Sequence, residues 1–146
     1  MAIFNKLLLA IDLGPDSNAL LTRVARLCGD NMDCVHVVHV IRRSIYDTQP
    51  AGADLARDAE FRQLRDHALI KLNNLMQRNN FRVSAERMFV LAGEPAHQIK
   101  KLAHDIEADL VIVGSHWEKG GWLNLPGATT NCVLQGIDSD VMAVRV

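Results

Sequence analysis

The aspartate that ends the opening apolar run is the side chain best placed for chemistry. Asp12 follows Leu7-Leu8-Leu9-Ala10-Ile11 and precedes the turn residues Gly14-Pro15-Asp16-Ser17. A carboxylate at a strand end can accept hydrogen bonds from a ribose or a base, and it can equally cap the turn behind it. Ser115-His116 sets a nucleophile beside a base. Adjacent side chains at a strand end diverge, no acid stands as third partner, and there is no Gly-x-Ser-x-Gly elbow, so this pair argues weakly for a hydrolase.

The six histidines pose the question of a metal. His36 and His39 are three apart on a strand and so point to opposite faces. His97 and His104 are seven apart on a helix, roughly 10 Å along its axis, too far to share one ion. No Cys/His cluster has zinc spacing, and no metal is expected. The three cysteines, Cys28, Cys34 and Cys132, include no Cys-x-x-Cys pair and are expected as buried reduced thiols. Trp117 and Trp122 flank Gly120-Gly121. Aromatics in such a loop suit a protein interface, with folding back onto the domain as the alternative.

Hydropathy defines the elements that must position these residues. Ile3–Ile11 is nearly all apolar, as a parallel strand covered on both faces would be. A helix follows, with Ala19, Leu20, Val24 and Leu27 near helical spacing and Gly29 as its stop. Val35–Ile41 is a second strand. Arg42–Ala56 has no period and is expected as a loop. Arg57–Arg78 is a long helix with Phe61, Leu64, Ala68, Leu72, Leu75 and Met76 as its apolar stripe, ended by Asn79-Asn80. Val83–Leu91 is a third, less apolar strand, expected near an edge. Gly93-Glu94-Pro95 opens a helix with Ile99, Leu102, Ala103 and Ile106 on one face. Asp109–Gly114 is a fourth strand, Ser115–Pro126 a loop, Ala128–Gln135 a short helix and Val141–Val146 the last strand.

Strict alternation of strand and helix predicts one α/β domain over 1–146. Its core is a single open, mostly parallel five-stranded sheet with helices on both faces. Ligands on such sheets bind beyond the strands' carboxyl ends, where the strand order reverses. Asp12, the segment after Ile41, and Gly114 onward are therefore the places to examine. The chain is long enough to bury roughly 68–70% of its unfolded surface without metal or disulfides. Its 16 basic and 17 acidic residues leave a net charge of -1, without the basic excess of a nucleic-acid binder. At 49% hydrophobic it is too apolar for disorder, yet no run reaches the ~20 residues of a membrane span. The start shows no basic leader, and a cytoplasmic protein is expected.

Four segments together resemble the universal stress protein family. They are Leu9-Ala10-Ile11-Asp12 with Pro15 and Ser17, His39-Val40, Gly93-Glu94-Pro95, and Ala108–Ser115. The resemblance implies an adenine-nucleotide alpha-hydrolase-like fold. In nucleotide-binding members the fourth strand leads into Gly-x2-Gly-x9-Gly-(Ser/Thr), where backbone N–H groups meet phosphate. Here that register starts at Gly114, has Trp117 at its second glycine, keeps Gly127, and has Ala128 where a hydroxyl is wanted. The departure is similar to the branch of the family that lacks the ATP motif and works as a dimer. The resemblance thus implies a non-enzymatic, cytoplasmic stress-response homodimer with no cofactor. Its alternative is a module binding ATP or AMP, possibly hydrolysing it, through Asp12, Ile41, Gly114, Gly127 and Thr129. The dimer would form on the last strand, an expected edge, through Val141, Met142, Ala143, Val144 and Arg145.

Overall fold

A computed structural model of the protein describes residues 4–42, 54–115, 133 and 135–146. The apolar runs become five strands: β1 (Leu7–Ala10), β2 (Val35–Arg42), β3 (Met88–Gly93), β4 (Leu110–Ser115) and β5 (Asp140–Arg145). They form one sheet in the order β3-β2-β1-β4-β5, every neighbouring pair parallel. Leu9 lies between Val37 and Ile112, and Val113 lies opposite Ala143. Among the described residues, helices make the first three crossovers: α1 (Ser17–Cys28), α2 (Asp54–Arg78) and α3 (Pro95–Asp105).

The uninterrupted apolar runs follow from burial on both faces. Leu7, Leu9, Val35, Val37, Leu110 and Ile112 pack under α1 and α2, on Leu20, Leu21, Val24, Leu72, Leu75 and Met76. Leu8, Val38, Val111 and Val113 pack on the opposite face under α3, on Ala96, Ile99, Leu102 and Ala103. Each helix turns an apolar stripe inward, and the stripes are narrower than the periodicity suggested. Ala19 is exposed, as are Leu27 (46%), Leu64 (45%) and Ile70 (60%).

The expected stops act as written. Gly29, at φ +59°, returns its N–H to the Ala25 carbonyl and ends α1. Asn79 caps the last turn of α2 by donating Nδ2–H to the Leu75 carbonyl, and the same group reaches Asn18 Oδ1. Gly93, at φ +140°, turns the chain into α3, where a Cβ would sit 2.9 Å from Gln98 Nε2.

Several expectations are revised by the structure. Residues 85–87 form a 3-10 turn, so β3 starts at Met88 and not at Val83. The cause is long-range: Arg87 Nη1 donates to the carbonyls of Met32 and Val35, at 2.7 and 3.2 Å, and pins that turn across the start of β2. Residues 54–56, expected in a loop, already belong to α2. Phe4–Lys6 precede the β1 ladder instead of joining it. Cys28 and Cys34 are half-buried, because both stand at the rim where α1 turns into β2. As expected, β3 is an edge strand. The remainder of the 42–56 loop, the loop after Ser115 and Cys132 lie outside the described residues. So does the 128–135 helix, apart from Val133, which is helical and fully buried, and Gln135, which lies in a turn.

One carboxylate ties the two central strands at their amino ends. Asp109 accepts the backbone N–H groups of Asn5 (2.7 Å) and Lys6 (2.9 Å) and donates its own N–H to the Lys6 carbonyl (2.9 Å). Burial alone would raise the Asp109 pKa; the N–H donors of Asn5 and Lys6 outweigh it and hold the carboxyl below its ordinary value.

Two outcomes follow from this packing. Leu110→Ala or Ile112→Ala, which truncates a side chain fully buried under α1 and α2, is expected to cost roughly 2–5 kcal/mol in urea unfolding. A loss below about 1 kcal/mol would contradict the central placement of β4. Asp109→Asn is expected to cost about 1 kcal/mol at neutral pH, the scale of a screened charge-assisted hydrogen bond. Because the folded pKa is depressed, that contribution is complete above the unfolded value of about 4 and disappears as pH falls through the folded value. The two proteins should therefore converge in stability as pH falls through the folded value, which chemical denaturation across a pH series measures.

Candidate functional site

The strand order reverses between β1 and β4. From β1 the chain builds outward through β2 and β3, then crosses back to place β4 and β5 on the other side. The crevice beyond the carboxyl ends of these two strands is where such a sheet offers a site.

On the β1 side, Ile11 continues the ladder by donating its N–H to the Val38 carbonyl at 2.9 Å. Its own carbonyl lies 2.8 Å from His39 Nδ1. A carbonyl can only accept, so Nδ1 carries the proton in this contact. The next residue, Asp12, turns its carboxylate back onto the chain. Oδ1 accepts the Gly14 N–H at 2.8 Å and the Ser17 hydroxyl at 3.3 Å. Leu13 takes a left-handed φ of +64° to allow this, and a Cβ at Gly14 would come within 3.1 Å of Oδ1. Ser17, only 3% exposed, begins α1. The capping role weighed for Asp12 is thus present, and the residue is exposed at the surface.

On the β4 side, Gly114 is the penultimate residue of the strand and pairs with Val144. A Cβ there would make only ordinary contacts, 3.5 Å to Val146 and 3.6 Å to Leu20. Packing among the described residues therefore does not require glycine at this position. Ile41, half-buried near the end of β2, lies opposite Ala92 of β3. Asp12, Ile41 and Gly114 accordingly share the carboxyl end of three adjacent strands, as the topology required. Gly127 and Thr129 lie outside the described residues, as do His116, Trp117, Trp122 and Ala128. Ser115 ends β4.

His39 and Ser17 matter more to this turn than the sequence suggested. His39 figured as the end of a strand, yet it fixes the carbonyl before Asp12. The 12, 14, 17 spacing was the available signal for Ser17: a carboxylate followed by a turn glycine and a hydroxyl at a helix start.

The remaining histidines do other work. His36 stacks on Phe89 (6.4 Å, 17° between planes) on the α3 face, while the His39 ring bonds at the end of β1. Burial lowers the His36 pKa; the Cys34 carbonyl opposes this, and the charges of Arg87 and Lys6 add to it. His104 Nδ1 lies 3.7 Å from Asp138 in an exposed pair. Among the described residues no three His, Cys, Asp or Glu side chains converge as a metal would require. A cavity of about 320 Å³ lies between the end of α2 and residues 81–83, lined by Asn73, Gln77, Asn80 and Arg82 among others. It sits where α2 leads into β3, the opposite end of the sheet from Asp12.

The other sheet edge is β5. Met142 and Val144 pack inward beneath α1, Val141 packs on the α3 face, and Ala143 and Arg145 are exposed. Among the described residues no helix is long and apolar enough to cross a membrane.

Comparison with known proteins agrees with this architecture. A "Universal stress protein A homolog 2" from Coxiella burnetii is 31% identical over 144 residues, covering 98% of this chain and 96% of its own. A hypothetical protein whose biochemical function was assigned from its structure superposes with a TM-score of 0.70 at 22% identity, over 99% of this chain and 98% of that one. A universal stress protein in complex with cAMP superposes with a TM-score of 0.61 at 15% identity, over 97% of each chain. The two structural likenesses speak for the fold. The model of the universal stress protein family matches residues 4–145. With its parallel sheet, its Asp12 turn and its nearly full-length match, the chain belongs to the universal stress protein family, and a stress-response type of function goes with that membership.

Proposed function

We propose that the protein is a cytoplasmic, non-enzymatic member of its family that acts as a homodimer joined along β5. The observation that carries this is the open edge of β5, where Val141 and Ala143 alternate with the core-facing Met142 and Val144. Among the described residues no further strand lies beyond β5, and a strand edge flanked by short apolar side chains is suited to antiparallel pairing with a second copy about a two-fold axis. Few charges guard this edge, Asp140 and Arg145 being confined to its ends. The carboxylate that could serve as a general base, Asp12, is engaged by Gly14 and Ser17, which supports a binding or scaffolding role over catalysis.

A second reading has its own support. Asp12, Ile41 and Gly114 gather at the crevice where this topology accommodates ligands, and one structural relative carries cAMP. An adenine nucleotide such as ATP would place its phosphates toward Gly114 and Gly127 and its ribose toward Asp12, with Thr129 as a hydroxyl donor. Trp117 and Ala128 stand against tight binding, because one puts an indole where backbone should meet phosphate and the other lacks a hydroxyl.

Both readings are open to measurement. Light scattering should give a dimer for the wild type and a monomer for Ala143→Lys, which adds a charge at an exposed edge position and leaves the core untouched. A folded Ala143→Lys protein that stays dimeric would place the interface elsewhere. Titration calorimetry with ATP and magnesium should show binding weaker than about 10 μM, or none. A tighter constant, beyond about -7 kcal/mol, would favour the nucleotide module.

A further inference from the structure

A polar cup stands where the chain leaves α2. Two hydrogen bonds set the turn that makes it. Phe81 donates its N–H to the Met76 carbonyl at 2.8 Å, and Asn80 donates its own to the Gln77 carbonyl at 3.2 Å. This pair of bonds ends a helix on a left-handed residue, and Asn80 supplies that residue at φ +53°. The cavity of about 320 Å³ lies between the last turns of α2 and the returning residues 81–83.

The inner wall of this cavity is apolar. Met76 and Phe81 line it, each only 3% exposed and packed into the core cluster with Leu72 and Leu75. The rim is polar. Asn73, Gln77, Asn80 and Arg82 line it and are all exposed. Among the described residues, none of these four side chains makes a hydrogen bond or an ion pair within the chain. Asn79, one position away, differs: its amide is engaged by Asn18 and by the Leu75 carbonyl.

The lining selects a ligand by charge. Arg82 is its one full charge among the described residues, and no carboxylate lines the cavity. A helix C-terminus opposes an anion through its open carbonyls. Here the carbonyls of Leu75, Met76 and Gln77 already accept N–H groups from Asn79, Phe81 and Asn80. The guanidinium is left to set the sign, and its planar fork matches a carboxylate. The carboxamides of the rim can donate to the same oxygens. At about 320 Å³ the cavity stands at the low end of the roughly 300–1,000 Å³ of small-molecule sites, which admits a short tail and excludes a long chain.

We propose that this cavity binds a small organic acid, with its carboxylate on Arg82 and its short apolar tail against Met76 and Phe81. The site shares no residue with the Asp12 crevice or with β5, so it stands or falls independently of the function proposed for either.

The test is a titration of the full-length, nitrogen-15-labelled protein with hexanoate, followed by two-dimensional NMR. Saturable shifts are expected at the side-chain amides of Asn73, Gln77 and Asn80 and at the backbone of residues 81–83. Hexan-1-ol and hexylammonium, which keep the tail and change the charge, should bind more weakly. Arg82→Gln should weaken hexanoate about fivefold, the scale of a solvent-screened charge-assisted hydrogen bond, and bring it level with hexan-1-ol. Gln77→Trp, which fills the cup from the rim, should abolish the shifts. Both substitutions are at exposed positions, and a dispersed spectrum confirms that each variant is folded. Absence of saturation below the concentration at which hexanoate self-associates would overturn the proposal. So would shifts confined to other parts of the chain, equal binding of hexylammonium, or unchanged affinity in either variant.

Discussion

The exclusion of water from both faces of β1 and β4 is the constraint on which the other features depend. Leu8 and Val111 are closed off by α3, Leu9 and Ile112 by α1 and α2. No polar side chain can sit along the middle of these strands without losing its hydrogen bonds to water. Parallel pairing satisfies the backbone, and the alternating side chains hold two helical layers at once. Because the strands are joined by crossovers, every return of the chain must pass over a face. The helices thus cover the very surface that would otherwise be exposed.

Polarity is consequently driven to the strand ends, and the two ends of the β1–β4 pair use a carboxylate in the same way. At the amino end Asp109 collects the N–H groups of Asn5 and Lys6. At the carboxyl end Asp12 collects the Gly14 N–H and the Ser17 hydroxyl. Both satisfy backbone donors that the sheet cannot pair. They differ in what lies beyond. Asp109 closes a seam between neighbouring strands, whereas Asp12 borders the crevice made by the reversal of strand order. His39 stiffens that border by holding the carbonyl of Ile11.

The edges of the sheet are unlike each other. At β3 the chain enters through a 3-10 turn anchored by Arg87 and leaves through Gly93 into α3. At β5 the strand runs to the last residues, with a small exposed side chain at Ala143. The link between α1 and β2 is a third kind of boundary, a tight turn that leaves Cys28 and Cys34 half-buried at the rim of the core.

The succession of elements, the parallel sheet and the end of the sheet where a site belongs were legible in the sequence. Double-sided burial writes itself as unbroken apolar runs such as Leu7–Ile11 and Leu110–Val113, and local stops such as Gly29, Asn79-Asn80 and Pro95 act over a few residues only. The positions of Asp12, Ile41 and Gly114 at one end follow from chain direction alone. Tertiary structure decided what depends on residues distant in the chain. Arg87, by reaching Met32 and Val35, shortened β3, and helix packing left Leu27 and Leu64 exposed. The partners of Asp12 were local enough to be guessed, but His39 finds the Ile11 carbonyl only because β2 lies beside β1. Periodicity reports which face of an element is apolar. It does not report which side chain arrives opposite it, because that choice is made by packing between segments far apart in sequence.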